Sequence, residues 1–281
     1  QSEKGEPYFL YLALPSPHTP ILPTGEWDGK SNFLPYADFV MQIDHYIGNL
    51  VKVVEETGQA ENTLIIFTTD NGCSPAAGYH KMVEMGHLPN LHYRGHKADI
   101  YDGGHRVPFI AKWPAQIKAG QVSDQLVCTT DLLATLADIL DYDLQANEGE
   151  DSYSILPLLK QKEVDNELRS AVVHHSVNGS FAIRDGDWKL ILVPGSGGWS
   201  YPRPGKDQAV LDTLPPIQLY NMQDDPGETT NIHGEYPEKV LQLKQLLAEY
   251  IQKGRSTPGP AQSNDEFEGE WKQIAWMEDL Q

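Results

Sequence analysis

The sequence predicts an α/β fold followed by a smaller α+β unit, and three observations carry that reading. Two short, continuously apolar runs, residues 8–14 and 63–69, flank a long stretch of helical periodicity, an order that implies a parallel strand-helix-strand crossover and a mainly parallel sheet. Near residue 162 the pattern changes to four short apolar runs separated by Gly, Asp and Pro turns, and one amphipathic stretch follows them. The expected division is therefore residues 1–165 for the α/β part and residues 166–281 for a small unit with an antiparallel sheet and one helix on a face.

Each element has a local reason. The run from Tyr8 to Leu14 stops at Pro15-Ser-Pro-His18-Thr-Pro20 and reads as a buried strand feeding a rigid loop, which puts His18 just past a strand end. Phe39, Ile43, Ile47, Leu50, Val51 and Val54 recur at helical spacing within residues 36–57, and Gly58 is a fitting stop. Residues 73–93, rich in Gly, His and Met, read as a loop. Residues 107–113 form a further strand that Pro108 pushes toward a sheet edge. A helix is expected over 130–141 with Thr129 or Thr130 as cap. The later strands are expected at 171–175, 180–184, 188–193 and 217–221, the last helix at 237–253, and 256–269 as polar and extended.

Composition excludes several classes. A formal charge of −19 argues against non-specific binding to nucleic acid or to an anionic membrane, and means that an anionic substrate would need local cations. Cys73 and Cys128 form no C-x-x-C pair, which removes a zinc ribbon or a disulfide scaffold. No apolar run approaches the roughly 18 to 20 residues of a membrane span. Residues 1–7 are polar and lack the features of a signal peptide, yet a strand is expected at once, so the chain reads as starting mid-protein.

The chemistry-bearing residues cluster in two places. Asp70 and Asn71, closing a buried strand, place a carboxylate and an amide oxygen side by side, the donors that Ca²⁺ or Mg²⁺ prefers; Asn71-Gly72 is equally a turn dipeptide. In α/β sheets ligands sit beyond the strands' carboxyl ends, which favours the metal reading. Lys97, two dozen residues on, can hold a tetrahedral anion as a point charge. His18 can donate to an anion or protonate a leaving oxygen, or else cap a backbone group. Gly103-Gly104 permits unusual backbone angles, so His105 and Arg106 either turn into the site or staple the loop. His80, His87, His92 and His96 match no zinc spacing. His174 and His175 are adjacent on a strand, so only one can face the site, and His175 is taken as the substrate contact. Asn178-Gly179-Ser180 fits the glycosylation sequon.

Pro15-Ser-Pro-His18, Asp70-Asn-Gly72, Gly95-His-Lys97 and Asp102-Gly-Gly-His-Arg-Val-Pro108 stand in the order and approximate spacing of the type I, formylglycine-dependent sulfatases, and the chain resembles the C-terminal portion of one. The resemblance extends through Thr129-Thr-Asp-Leu-Leu133, Phe181-Ala-Ile-Arg-Asp-Gly-Asp-Trp-Lys-Leu190 and Leu219-Tyr-Asn-Met-Gln-Asp-Asp-Pro-Gly-Glu228, nearly the whole chain. It implies part of an alkaline-phosphatase-like sandwich, one calcium held by Asp70 and Asn71, a sulfate contacted by Lys97 and His18, and a sulfated small molecule or glycan as substrate. It implies a formylglycine nucleophile, matured from cysteine in C-x-P-x-R, well upstream of His18. Cys73-Ser74-Pro75 imitates that motif, but its fifth position is Ala77 instead of arginine. The other half of the site would then come from an N-terminal half of the same protein, and a periplasmic or secreted location follows from the family. Two alternatives stand beside this reading: a metal-dependent phosphoesterase of the same superfamily, and an anion-binding pseudoenzyme or inactive fragment.

Overall fold

The computed structural model describes residues 6–160, 168–265 and 269–280. The boundary expected at 165/166 lies outside the described residues, as do the first five residues of the expected mid-protein start.

Helix α1 (Pro35–Glu56) starts with a proline in its first turn, where the missing N–H costs nothing. Its buried polar residues organise the preceding loop: Asp38 accepts from Gly29 N and Ser31 N, and Gln42 accepts from Thr24 N. The apolar stripe at 39, 43, 47, 50, 51 and 54 is only half buried. Strand β1 (Ile65–Thr68) follows, then helices α2 (Tyr79–Glu84) and α3 (Asp102–His105), and strand β2 (Phe109–Lys112). The expected loop over 73–93 is thus corrected: it contains a 3₁₀ turn at Pro75–Ala77, opened by the Ser74 hydroxyl accepting from Ala76 N, and then α2, which buries Met82.

The parallel crossover expected from the two apolar runs does not form among the described residues. Residues 8–14 lie outside any strand, with Phe9 75% and Tyr11 80% exposed. β1 instead pairs antiparallel with β2, Ile65 opposite Lys112 and Thr68 opposite Phe109. An apolar run records that a segment is suited to burial, but a strand also needs a neighbour to complete its ladder. Phe67 and Ile110, opposite each other in this pair, are also exposed, at 37% and 61%.

Helix α4 (Leu132–Ile139) is preceded by a 3₁₀ turn at Thr129–Asp131. The residue at the start of α4 is Asp131, not a threonine; its buried carboxylate makes no cap bond to the helix but accepts from Cys128 N and Tyr153 N and forms a buried ion pair with Arg169 at 2.9 Å. A short helix α5 (Leu156–Leu159) ends this part.

The second part matches the expectation closely. Strands β3 (Ala171–His175), β4 (Phe181–Asp185) and β5 (Trp188–Ile191) are followed by a one-turn helix α6 (Gln208–Leu211), strand β6 (Gln218–Asn221) and helix α7 (Pro237–Lys253). The four strands form one antiparallel sheet in sequence order. Alternation assigns its faces. Phe181, Ile183, Leu190 and Leu219 pack with Val240, Leu243 and Leu247 of α7. Ala182, Ile191 and Tyr220 pack on the opposite face against Ile100 and Tyr101. The sheet is therefore buried on both sides, by its own helix and by the stretch that leads from Lys97 to α3. Beyond the expected elements, a 3₁₀ helix at Lys272–Leu280 packs Ile274 and Trp276 against the α7 side of the core.

Candidate active site

Backbone hydrogen bonds tie three separate segments into one corner. Gly72 N donates to Gly104 O (3.1 Å), Lys97 N to Cys73 O (3.0 Å) and Gly103 N to Arg94 O (2.7 Å). Asn90 bridges further, its Oδ1 accepting from Cys73 N and its Nδ2 donating to Gly95 O. The end of β1, the 94–97 stretch and α3 are thus held at main-chain distance. The glycines make this possible by lacking a side chain: a Cβ on Gly72 would lie 1.8 Å from Gly103 O, and one on Gly103 would lie 2.3 Å from Gly95 O. The unusual angles expected at Gly103-Gly104 are absent, since the pair sits in a helical turn; close approach is what requires glycine there.

In this corner Asp70 is exposed at the strand end and Asn71 is half buried. Asn71 Nδ2 donates to Gly72 O (3.0 Å), which leaves its carbonyl oxygen as the free donor atom. A carboxylate beside an amide oxygen suits a hard divalent cation and fits calcium. Among the described residues no group of three or more His, Cys, Asp or Glu side chains gathers around them, so the two amount to part of a coordination shell. Lys97 is half buried, with its main chain anchored to the segment after Asn71.

His18 sits in an exposed turn closed by its N–H to Pro15 O, and its Nδ1 donates to Thr19 O at 2.8 Å. That bond selects the tautomer and leaves Nε2 as the atom able to exchange a proton. Arg106 is exposed and lies over the Tyr93 ring at 4.7 Å, the loop-stapling alternative. His105 turns inward: its ring lies 4.3 Å from that of His174, and burial, with Lys189 nearby, pushes its pKa down to about 4. Between the two adjacent histidines the strand register decides. His174, opposite Ala182, faces Ile100 and bonds to its carbonyl oxygen through Nε2 (3.1 Å). His175, the expected substrate contact, is opposite Phe181 on the other face and lies against that ring at 4.2 Å. Asn178 of the sequon is occupied locally, accepting from Ser176 Oγ and Ser180 N in a tight turn.

Behind the corner lies a buried ion cluster that sequence reading did not identify. Lys189 of β5 is fully buried and contacts Asp102 Oδ1 (2.7 Å), Glu228 Oε1 (2.7 Å) and Ile100 O (3.1 Å). Glu228 also accepts from Asp102 N at 2.7 Å, and Arg184 approaches Asp102 at 3.5 Å. Burial alone would raise the Asp102 pKa, but the Lys189 ammonium outweighs it and holds the group at about 2. Burial raises Glu228, and Lys189 only partly offsets that. Burial would lower Lys189, but the two carboxylates raise it, so the ammonium stays charged. The signal was available, because Asp102, Lys189 and Glu228 each belong to a motif quoted for the family resemblance. What was missing was that the three meet. Arg94 adds a clamp, its guanidinium over Tyr101 at 4.0 Å and bonded to Glu228 O at 2.7 Å.

The fold and the sequence comparisons together define a member of the sulfatase family. The family profile described as Sulfatase matches residues 1–142, half of the chain, and the profile of the N-sulphoglucosamine sulphohydrolase C-terminal region matches residues 93–196. The chain belongs to the sulfatases, with their alkaline-phosphatase-like α/β fold. It is 33% identical over 252 residues to an N-acetylgalactosamine-6-O-sulfatase of Bacteroides thetaiotaomicron, covering 88% of this chain and 47% of that protein. Human arylsulfatase A is 31% identical over 253 residues, covering 85% and 48%. A solved Bacteroides thetaiotaomicron structure from work on the metabolism of multiple glycosaminoglycans superposes with a TM-score of 0.76 at 30% identity, covering 88% of this chain and 51% of that one. The PsFucS1 sulfatase of Pseudoalteromonas sp. superposes at 0.71 with 26% identity, covering 89% and 49%. The chain spans about half the length of the curated relatives it matches. No helix among the described residues is long and apolar enough to cross a membrane.

Proposed function

We propose that the protein carrying this chain hydrolyses sulfate esters of carbohydrates, with a 6-sulfated N-acetylgalactosamine as the favoured substrate and a periplasmic or secreted place of action. The main-chain weave through Gly72, Cys73, Lys97 and Gly103 supports the reading, because it brings the segments that carry Asp70-Asn71, Lys97 and the Asp102–His105 turn within hydrogen-bond distance of one another. The names of the relatives support the substrate class. Asp70 and Asn71 hold the calcium, which when bound neutralises charge on the sulfate oxygens. Lys97 binds a sulfate oxygen, and His18 Nε2 passes a proton to the leaving alcohol. Arg106, exposed over Tyr93, is the rim residue of this reading, His105 backs the corner from inside, and His175, on the α7 face of its sheet, takes no part in it. The formylglycine nucleophile and the remaining calcium ligands belong, in this reading, to polypeptide N-terminal to residue 18. That part also covers the exposed apolar surface at residues 8–14, Phe67 and Ile110. Donors Asp and Asn beside a lysine favour a sulfatase over a transition-metal phosphoesterase.

The test is sulfate release from 6-sulfated N-acetylgalactosamine by the complete gene product with calcium. Lys97→Ala is expected to lower kcat by about 100-fold or more, with the melting temperature unchanged. Absence of sulfate release by the wild type, or full turnover by Lys97→Ala, refutes the assignment.

A further inference from the structure

One loop of the second part is bonded directly onto the stretch that carries Lys97. Ile100 N donates to Ser196 O at 2.9 Å. The Asp99 carboxylate, fully buried two residues after Lys97, accepts through Oδ1 from Trp199 N (2.8 Å) and Ser200 N (2.9 Å), and through Oδ2 from the Ser200 hydroxyl and from His96 N (3.0 Å). A carboxylate accepting several charge-assisted hydrogen bonds is a stiff joint. Glycine tightens it further, since a Cβ on Gly198 would stand 2.4 Å from Ala98 O.

This rigid loop presents two large aromatic side chains to solvent, Trp199 at 40% and Tyr201 at 69% exposure, while Pro202 beside them is buried. Neither aromatic belongs to a core cluster of the described residues. Exposed aromatics on a mobile loop would mean little. Here the backbone that carries them is fixed by a buried carboxylate two residues from Lys97, so a ligand ring stacking on either aromatic meets a preorganised support at low entropic cost. In a chain of net charge −19, a neutral π-face is also a way to hold a sulfated ligand without added repulsion.

We propose that Trp199 and Tyr201 form a stacking platform for the sugar ring adjoining the sulfate bound at Lys97, a carbohydrate subsite, with Asp99 as its positioning residue. It rests on the sulfatase reading for the identity of the anion, whereas the platform itself is tested by binding. In the complete gene product, Trp199→Ala is expected to lower kcat/KM on an oligosaccharide containing N-acetylgalactosamine 6-sulfate by about ten-fold, with the loss in KM. Inhibition by inorganic sulfate stays within about two-fold of wild type, and Trp199→Phe restores most of the loss. Asp99→Asn is expected to show the same oligosaccharide defect. An unchanged kcat/KM in Trp199→Ala, or an equal loss of sulfate inhibition, overturns the platform. If the wild type turns over no sulfate ester, the sulfatase reading falls. Calorimetric titration with the same oligosaccharide then decides the platform: weaker binding to Trp199→Ala than to wild type upholds it, and equal binding, or none to either, overturns it.

Discussion

Replacing Lys189 by methionine removes the ammonium from between two buried carboxylates and keeps most of the side-chain volume. In the native protein that ammonium lies 2.7 Å from both Asp102 Oδ1 and Glu228 Oε1 and bonds to Ile100 O. Without it, Asp102 and Glu228 face each other in a buried site, with Arg184 at 3.5 Å from Asp102 and Arg94 on the Glu228 carbonyl as neighbouring cations. Stranding a buried charge in this way costs about 3–5 kcal/mol. The variant's carboxylates then share a proton, with pKa values above those of the unfolded chain, so the folded state binds more protons than the unfolded one. The deficit of Lys189→Met relative to the wild type should therefore be greatest near neutral pH and shrink as pH falls toward about 4. Equilibrium unfolding in guanidinium chloride at pH 7.5, 6 and 5 measures both effects. The triple variant Lys189→Met, Asp102→Asn, Glu228→Gln should regain most of the loss, since no charge is left unpaired. A destabilisation below about 1 kcal/mol, or a deficit that does not shrink on acidification, would show that the cluster is not the electrostatic unit described.

Two further outcomes follow from the same corner. His105 has a folded pKa of about 4 against an ordinary value of 6.5, so the unfolded chain takes up its proton first. Its contribution is complete above about pH 6.5 and falls away toward pH 4, amounting to about 3 kcal/mol, with buried His174 shifted in the same direction; His105→Gln should flatten the stability-versus-pH curve over that window, and an unaltered slope would exclude His105 as its source. Gly103→Ala would set a methyl 2.3 Å from Gly95 O and 2.4 Å from Arg94 O, main-chain atoms that cannot turn away, and should cost about 3 kcal/mol in an unfolding titration, whereas a loss under about 1 kcal/mol would mean that the weave is loose.

Local chemistry was enough to write the second part. Strands β3 to β6 and helix α7 follow from short apolar runs, turn residues and one amphipathic period, because an antiparallel sheet closes with nearest neighbours and each strand finds its partner in the next. The sequence alone also supplied the proposal of Asp70 and Asn71 as hard-cation ligands and Lys97 as an anion contact, from their chemistry and their order along the chain. Tertiary structure decided what depends on a partner distant in the chain. Residues 8–14 are as apolar as any strand here yet form none among the described residues, because a ladder needs a second edge. Which of His174 and His175 faces Ile100 and which faces the α7 side was set by pairing register, which no single strand contains. The meeting of Asp102, Lys189 and Glu228, and the grip of Asp99 on the loop of Trp199, join residues roughly 40 to 130 apart in the chain, and proximity across such spans is a property of the closed fold.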